Sequence, residues 1–205
     1  YFKVYSVTDE DKKKTEQYKQ NAARAQAQAS FADFDSFLES LDIQISIEAA
    51  DEFNIQRIAQ MTQKTNQFNL TTHRYTDADV RVFVEFGWKI WCLSVADKFG
   101  DNGITGAIMV TPSGEIDTFL LSCRILGKGI EIAFMKKVMS LLAVSGIEVL
   151  TARYIPTAKN AQVKDFYEKC GFVCVSENED GCKDYTLSLV ATDFSIKDYY
   201  HITVK

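Results

Sequence analysis

No apolar run in the chain approaches the ~20 residues that a membrane-spanning helix needs. The greasiest stretches, residues 104–110 and 116–121, are only strand-length. A signal-peptide pattern is also missing, which makes the cytoplasm the expected compartment. The first residues are Tyr1-Phe2-Lys3-Val4, without Met, and read as the start of a fragment or trimmed chain. There is no CxxC pair, and the only histidines are His73 and His201. Cys92, Cys123, Cys170, Cys174 and Cys182 therefore lack the spacing of a zinc site or a disulfide framework and read as buried, inert thiols, so no metal is expected. Nor is there an excess of positive charge: 23 Lys and Arg stand against 28 Asp and Glu, which argues against nucleic-acid binding. No repeat period is visible. What remains is ordinary globular composition over 205 residues, 46% apolar and 25% charged, enough for one domain with or without an appendage.

The charge is unevenly spread. Residues 124–169 hold eight bases against four acids, a local +4 in a chain whose net charge is −5. An anionic ligand finds its best field there.

The pattern predicts a short strand at residues 1–7, then a polar, Ala- and Gln-rich helix from about 9 to 29 opened by a Thr8/Asp11 capping box. Ser30 is expected to cap an amphipathic helix over 31–41, with Phe31, Phe34, Phe37, Leu38 and Leu41 at helical spacing. Residues 1–41 read either as a helical connector or as a hairpin packed on the main domain, which begins near residue 42. Alternation predicts a strand at 43–47, followed by helices at 53–63 and 76–86 with a polar loop at 65–75 between them. Strands are expected at 89–96, 105–111 and 115–123, joined by turns at 97–103 and 112–114. A helix at 128–144, a strand at 148–154, a helix at 160–170 closed by Gly171, and strands at 172–176 and 184–190 follow, with a weak strand signal at the C-terminus. The fold class is α+β: an antiparallel meander followed by βαβ-type crossovers in a mixed sheet.

Two constellations carry chemistry. In Arg124-Ile125-Leu126-Gly127-Lys128-Gly129, glycines between a strand and a helix allow close backbone approach, and the helix start presents free N–H groups. A diphosphate suits such a place, although a glycine turn can also simply start a helix. In Asn160 through Gly171-Phe172, Val163, Phe166 and Tyr167 share a helix face. Tyr167 is either a half-buried aromatic or a proton donor to a departing thiolate, since its pKa lies above that of a thiol.

Together these segments resemble the GNAT acetyltransferase superfamily. Arg124-x-x-Gly127-x-Gly129 is similar to its acyl-CoA loop, and Asn160-x(6)-Tyr167-x(3)-Gly171-Phe172 to its second motif. A narrower resemblance, to the C-terminal region of FkbH-like proteins, lies in residues 57–70 and 154–160, in Asp97-Lys98-Phe99-Gly100-Asp101, and in Asp117 with Ser122-Cys123-Arg124. In that family a HAD-type phosphatase-like domain precedes the GNAT-like one, and the pair is associated with loading a glyceryl unit onto an acyl carrier protein. The resemblance implies a missing HAD-type domain upstream, with 1–41 as the joining stretch and 42–205 as a GNAT-like acyltransferase domain.

It further implies CoA, acyl-CoA or the phosphopantetheine of a carrier protein as the cofactor. Leu121, Ser122, Cys123, Arg124, Ile125, Leu126, Gly127, Lys128, Gly129 and Ile130 would hold it, with the strand end at Leu121–Cys123 pairing with the pantetheine amides. Tyr167 would protonate the leaving sulfur, and Asn160 would orient the arm or a water. Asp117 is either a base on the central strand or a structural hydrogen-bond partner. Asn66, Gln67, Asn69 and His73 would roof the acceptor site, His73 being either a base or a surface residue. Cys123 is an inert thiol or an acyl carrier. Three functions compete: an acyltransferase on a pantetheine thioester, a non-catalytic docking module for a carrier protein or CoA, and a structural domain. A filled groove between the two central strands is the mark of the last.

Overall fold

The computed structural model describes residues 9–205. The strand expected at 1–7 and the Thr8 half of the capping box lie outside them. Among the described residues six helices and nine strands run in the order α1 (Asp9–Gln28), α2 (Phe34–Glu39), β1 (Ile43–Ala49), α3 (Ile55–Lys64), β2 (Phe68–Asn69), α4 (Asp77–Glu85), β3 (Lys89–Asp97), β4 (Gly100–Val110), β5 (Glu115–Leu121), α5 (Ile130–Val144), β6 (Val149–Tyr154), α6 (Phe166–Lys169), β7 (Val173–Glu177), β8 (Lys183–Ser188) and β9 (Tyr200–Val204). One mixed sheet has the order β7-β8-β6-β5-β4-β3-β1-β9, with β2 attached to β5. The meander β1-β3-β4-β5 is antiparallel, and β5 meets β6 in parallel through the α5 crossover. This is the expected α+β arrangement.

Side-chain alternation sorts the core to the two faces of the sheet. Ile90, Cys92, Ala107, Met109 and Leu120 meet α3 and α4 through Ile55, Ile58, Met61 and Val80. Their strand neighbours Leu93, Ile108, Phe119 and Leu121 turn to the other face, against Phe134, Met135 and Val138 of α5. Thr76 and Asp79 form a full capping box at α4. Phe37, Leu38 and Leu41 belong to the α5-side core, so α2 packs on the sheet. Arg24 of α1 reaches buried Asp97 with two 2.7 Å bonds.

Four local expectations are corrected. Asp33, not Ser30, caps α2: its Oδ1 accepts from Ser36 N–H at 2.8 Å, while the Ser30 hydroxyl donates back to Ala27. The turn expected over 97–103 is shorter, because Asp97 accepts Phe99 N–H at 3.0 Å and the ladder resumes at Gly100. Residues 160–170 are not one helix. A 3-10 turn, Ala161–Val163, precedes the short α6, and the break at Asp165 lets Val163, Phe166 and Tyr167 all turn inward. Finally, the polar loop 65–75 contains β2, and the weak C-terminal signal is β9, parallel to β1 at the sheet edge.

Candidate active site

The motif at the end of β5 forms a strand–turn–helix junction. A 3-10 turn, Cys123–Ile125, is held by Ser122, whose hydroxyl accepts from the Arg124 side chain at 3.1 Å. Gly127 (φ +78°) and Gly129 (φ +71°) then lie in the left-handed region. That conformation favours glycine. A Cβ at Gly129 would lie 2.7 Å from the Tyr200 hydroxyl, which donates to the Lys128 carbonyl, whereas the same addition at Gly127 meets open space. The first turn of α5 offers N–H groups without intrahelical acceptors and the positive end of the helix dipole.

The side chains around this backbone serve other ends. Lys128 approaches Asp97 at 3.3 Å, in a buried cluster shared with Arg24. Burial pushes the Lys128 ammonium below its ordinary pKa, against the opposing pull of Asp97. Ile125 and Ile130 are core residues. Glu131, missed in the sequence, lines a crevice of about 190 Å³ beside Gly127, Phe166 and Lys169. Burial raises its carboxyl pKa, and its Oε2 has no hydrogen-bond partner among the described residues.

The gap between β5 and β6 is the central finding. The two strands pair only at Glu115↔Thr151 and Ile116↔Ala152 and then diverge. Residues 68–70 fill the opening. Phe68 and Asn69 pair with Leu121 and Leu120. Leu70 N–H donates to Phe119 at 3.2 Å, and Ile155 N–H donates to Leu70 at 2.8 Å, so the segment bridges both strands. Phe68 packs edge-on to Phe166 at 5.2 Å and against Phe119 at 6.0 Å. The strand edge at Leu121, expected to be free, is therefore covered. Asn160 is fully buried and donates to the carbonyls of Asn69 and Ile155, both at 2.9 Å. Tyr167 is 1% exposed, and its hydroxyl has no partner among the described residues. Burial, with Cys170 and Asp117 nearby, holds its pKa well above the ordinary tyrosine value.

A third group lies along β5. His73 Nδ1 is 3.1 Å from Asp117 Oδ1, and the Tyr75 hydroxyl donates to Asp117 Oδ2 at 2.9 Å. Thr118 donates to the same carboxylate at 2.8 Å. Burial and Asp117 raise the Tyr75 pKa, so the hydroxyl stays a donor. Just before His73, β-branched Thr72 adopts φ +57°, and its N–H is held by Asn69 Oδ1 at 2.8 Å. Such backbone costs roughly 1–3 kcal/mol and persists where neighbours impose it. Asn69 thus shapes the turn that delivers His73 to Asp117. Asn66 and Gln67 lie elsewhere, in a cleft with Leu121, Ser122, Cys123 and Arg124. The sequence residues consequently separate into four places: glycine loop, filled gap with its Asn160 anchor, His73–Asp117 pair, and the cleft of Asn66 and Gln67. Phe68, Tyr75 and Glu131 went unread. An aromatic inside a polar loop was the one signal for Phe68.

The backbone of the loop suits a diphosphate. The path of a pantetheine arm along β5 does not suit it, being taken by residues 68–70. The crevice beside Gly127, about 190 Å³, is also below the roughly 300–1,000 Å³ of ordinary ligand pockets. In this conformation the chain does not fit the whole of CoA. Among the described residues no cluster of His, Cys, Asp and Glu could hold a metal, and no helix is long and apolar enough to cross a membrane.

No family model matches the chain, and no curated protein matches its sequence. Solved structures do match in fold. A protein from Desulfovibrio desulfuricans assigned to the GNAT family of acetyltransferases shares 15% identity over 71% of this chain and 99% of its own, with a TM-score of 0.53. The ribosomal-protein-S18-alanine N-acetyltransferase of Escherichia coli shares 12% over 75% and 99%, with a TM-score of 0.54. The spermidine N-acetyltransferase of Vibrio cholerae, solved with CoA and spermine, shares 10% over 71% and 96%, with a TM-score of 0.52. At such identities the likeness speaks to fold, and the fold of this chain is that of the GNAT N-acetyltransferases, here with the gap beside β5 filled by the chain itself.

Proposed function

We propose that the domain binds the phosphopantetheine end of a thioester-bearing partner, CoA or an acyl carrier protein, and serves acyl transfer. The observation that carries this reading is the junction at 121–130, where two left-handed glycines open a helix at the end of the central strand. The fold of the N-acetyltransferases supports it. The reading requires residues 68–70 to give way before an arm can lie along β5. His73 is the base on the acceptor side: Nδ1–H donates to Asp117, leaving Nε2 to take a proton. The resemblance to FkbH-like proteins supports a carrier protein as partner and a HAD-type domain upstream.

A second reading has its own support. With the gap filled and the Tyr167 hydroxyl sealed, a docking module for the carrier protein needs no rearrangement. Calorimetric titration with CoA, and separately with a phosphopantetheine-bearing carrier protein, tests both readings. The control is Gly127→Ala, which shares the strain of a side chain on this left-handed backbone, and the test variant is Gly127→Glu, which adds a negative charge at the loop. Binding lost in the test variant and kept in the control supports the site, and acyl transfer in a donor–acceptor panel selects the first reading. Carrier binding without transfer selects the second. No binding of either ligand refutes both and leaves the purely structural domain, whose expected mark, a filled groove between the central strands, this fold carries.

A further inference from the structure

A cleft of about 820 Å³ lies between α3 and the end of β5 and shares Phe68 with the Gly127 crevice. Four bases line it: Arg57 and Lys64 from α3, Arg124 from the turn after β5, and Lys159. No acid does. Elsewhere in this acidic chain arginines are neutralised. Arg24 meets Asp97, Arg81 meets Glu52 and Asp77, and Arg153 meets Asp184. Arg74 donates to the carbonyls of Thr62 and Thr65 and to Asn66. Among the described residues, Arg57, Lys64, Arg124 and Lys159 form no ion pair. Partial burial and the neighbouring Arg124 both push the Arg57 pKa down, so the fold holds two guanidiniums together against their repulsion.

We infer that this cleft binds a phosphate-bearing ligand, a phosphate ester or diphosphate. Four cations without an ion-pair partner among the described residues call for more than one negative charge, and the guanidinium fork matches phosphate oxygens in paired hydrogen bonds. Hydroxyls of Thr65 and Ser122, which also line the cleft, add neutral donors. The cleft and the Gly127 crevice share Phe68 as a wall, and the cleft takes in Ser122, Cys123 and Arg124 but neither Gly127 nor Gly129. The site stands whether or not the domain transfers acyl groups.

Inorganic pyrophosphate is the probe, titrated by calorimetry at low salt without magnesium. Wild type and Arg81→Gln, which removes an equal charge from a paired arginine, should bind alike. Arg57→Gln combined with Lys64→Gln should weaken binding by about tenfold or more, the scale of a lost charge-assisted contact. Cys123, exposed like Cys174 rather than buried as the sequence reading has it, lines the cleft and is a second reporter. Pyrophosphate should slow its alkylation, read by mass spectrometry, while leaving exposed Cys174 unchanged. CoA in place of pyrophosphate, run on wild type and on the Arg57→Gln/Lys64→Gln variant, separates the sources: protection of Cys123 by CoA that is lost in the variant assigns the phosphate to a pantetheine partner, and protection by pyrophosphate alone assigns it to another phosphate ester. Absent pyrophosphate binding, binding unchanged in the double variant, or equal effects on Cys123 and Cys174 would overturn the inference. None of these three overturning outcomes bears on CoA binding at Gly127, which the Gly127→Glu variant reads separately.

Discussion

Asn160 donates a 2.9 Å hydrogen bond to the main-chain carbonyl of Asn69. The residue that the motif assigns to a pantetheine arm thus anchors the segment lying where that arm would run. Its other bonds are internal too: Oδ1 accepts from Thr157 N–H at 2.7 Å and from the Tyr154 hydroxyl at 3.3 Å, and Nδ2 also reaches Ile155. A buried amide so fully satisfied is costly to remove, because its partners are left unpaired.

Asn160→Ala should therefore destabilise the domain by about 3 kcal/mol. Hydrogen exchange shows where. The amides of Leu70 and Ile155, which tie residues 68–70 to β5 and to the end of β6, should lose protection before the amides inside β4 and β5. Uniform loss across the sheet would mean that Asn160 supports the whole fold rather than this segment. In the wild-type protein, a bound pantetheine arm should deprotect the same two amides.

A separate expectation concerns His73 and Asp117. Held at 3.1 Å, they leave Nε2 as the outward face of the ring. In an acyl-transfer assay, His73→Gln and Asp117→Asn should each lower kcat by roughly 10²–10⁴, the usual contribution of a positioned acid or base. The KM for the thioester should stay nearly constant, because neither residue lies at the glycine loop. The double variant should be little worse than either single one, since the two act as a unit. Additive losses would separate their roles.

The sheet was legible because its alternation is strict: Ile43, Ile45 and Ile47 point one way, and the meander follows with marked turns. The glycine loop was legible because Gly127 and Gly129 stand at a strand–helix junction, which local chemistry enforces. The filled gap was not. Phe68 and Asn69 are too short a strand to show a period, and what makes them one is the divergence of β5 from β6, some fifty to eighty residues further on. The pairing of His73 with Asp117 likewise depends on a turn through Thr72 that no propensity favours. Asn160 was read for its motif position, whereas its role is set by the carbonyls that tertiary packing brings to it.

Asp97 joins the N-terminal helix to the glycine loop. Burial alone would push its carboxyl up, but the Arg24 hydrogen bond, the Lys128 charge and Phe99 N–H together hold it below the usual carboxylate range. Asp97→Asn leaves two cations without their shared anion and should cost about 3–5 kcal/mol. For a chain of this size that is a fall in Tm of about 10 °C. A carboxyl with a lowered folded-state pKa contributes stability that is present above its unfolded pKa and lost as pH falls through the folded value. The deficit of the variant should thus be constant from pH 5 to 8 and shrink only in strong acid. Thermal melts across that range check it, and an unchanged Tm at neutral pH would show that α1 is not held through Asp97.

Glu131 works with the opposite sign. Burial at the start of α5 raises its carboxyl pKa above the ordinary 4.5, with Lys169 only partly opposing. The folded state therefore holds the proton more tightly than the unfolded chain, and ionisation costs stability as pH rises past the unfolded value. Glu131→Gln, which mimics the protonated acid, should leave stability unchanged below about pH 4. Above that its advantage should grow, then level off once the folded-state pKa is passed. The same substitution removes a negative charge from the crevice beside Gly127, where a diphosphate would lie. Binding of CoA should tighten in Glu131→Gln once the native carboxyl is ionised, and the ratio to wild type should fall towards one as the pH is lowered and that carboxyl takes up its own proton. Calorimetry on both sides of the pH at which the stability advantage levels off measures that ratio. A ratio independent of pH would place the anion away from Glu131, and with it away from the glycine loop.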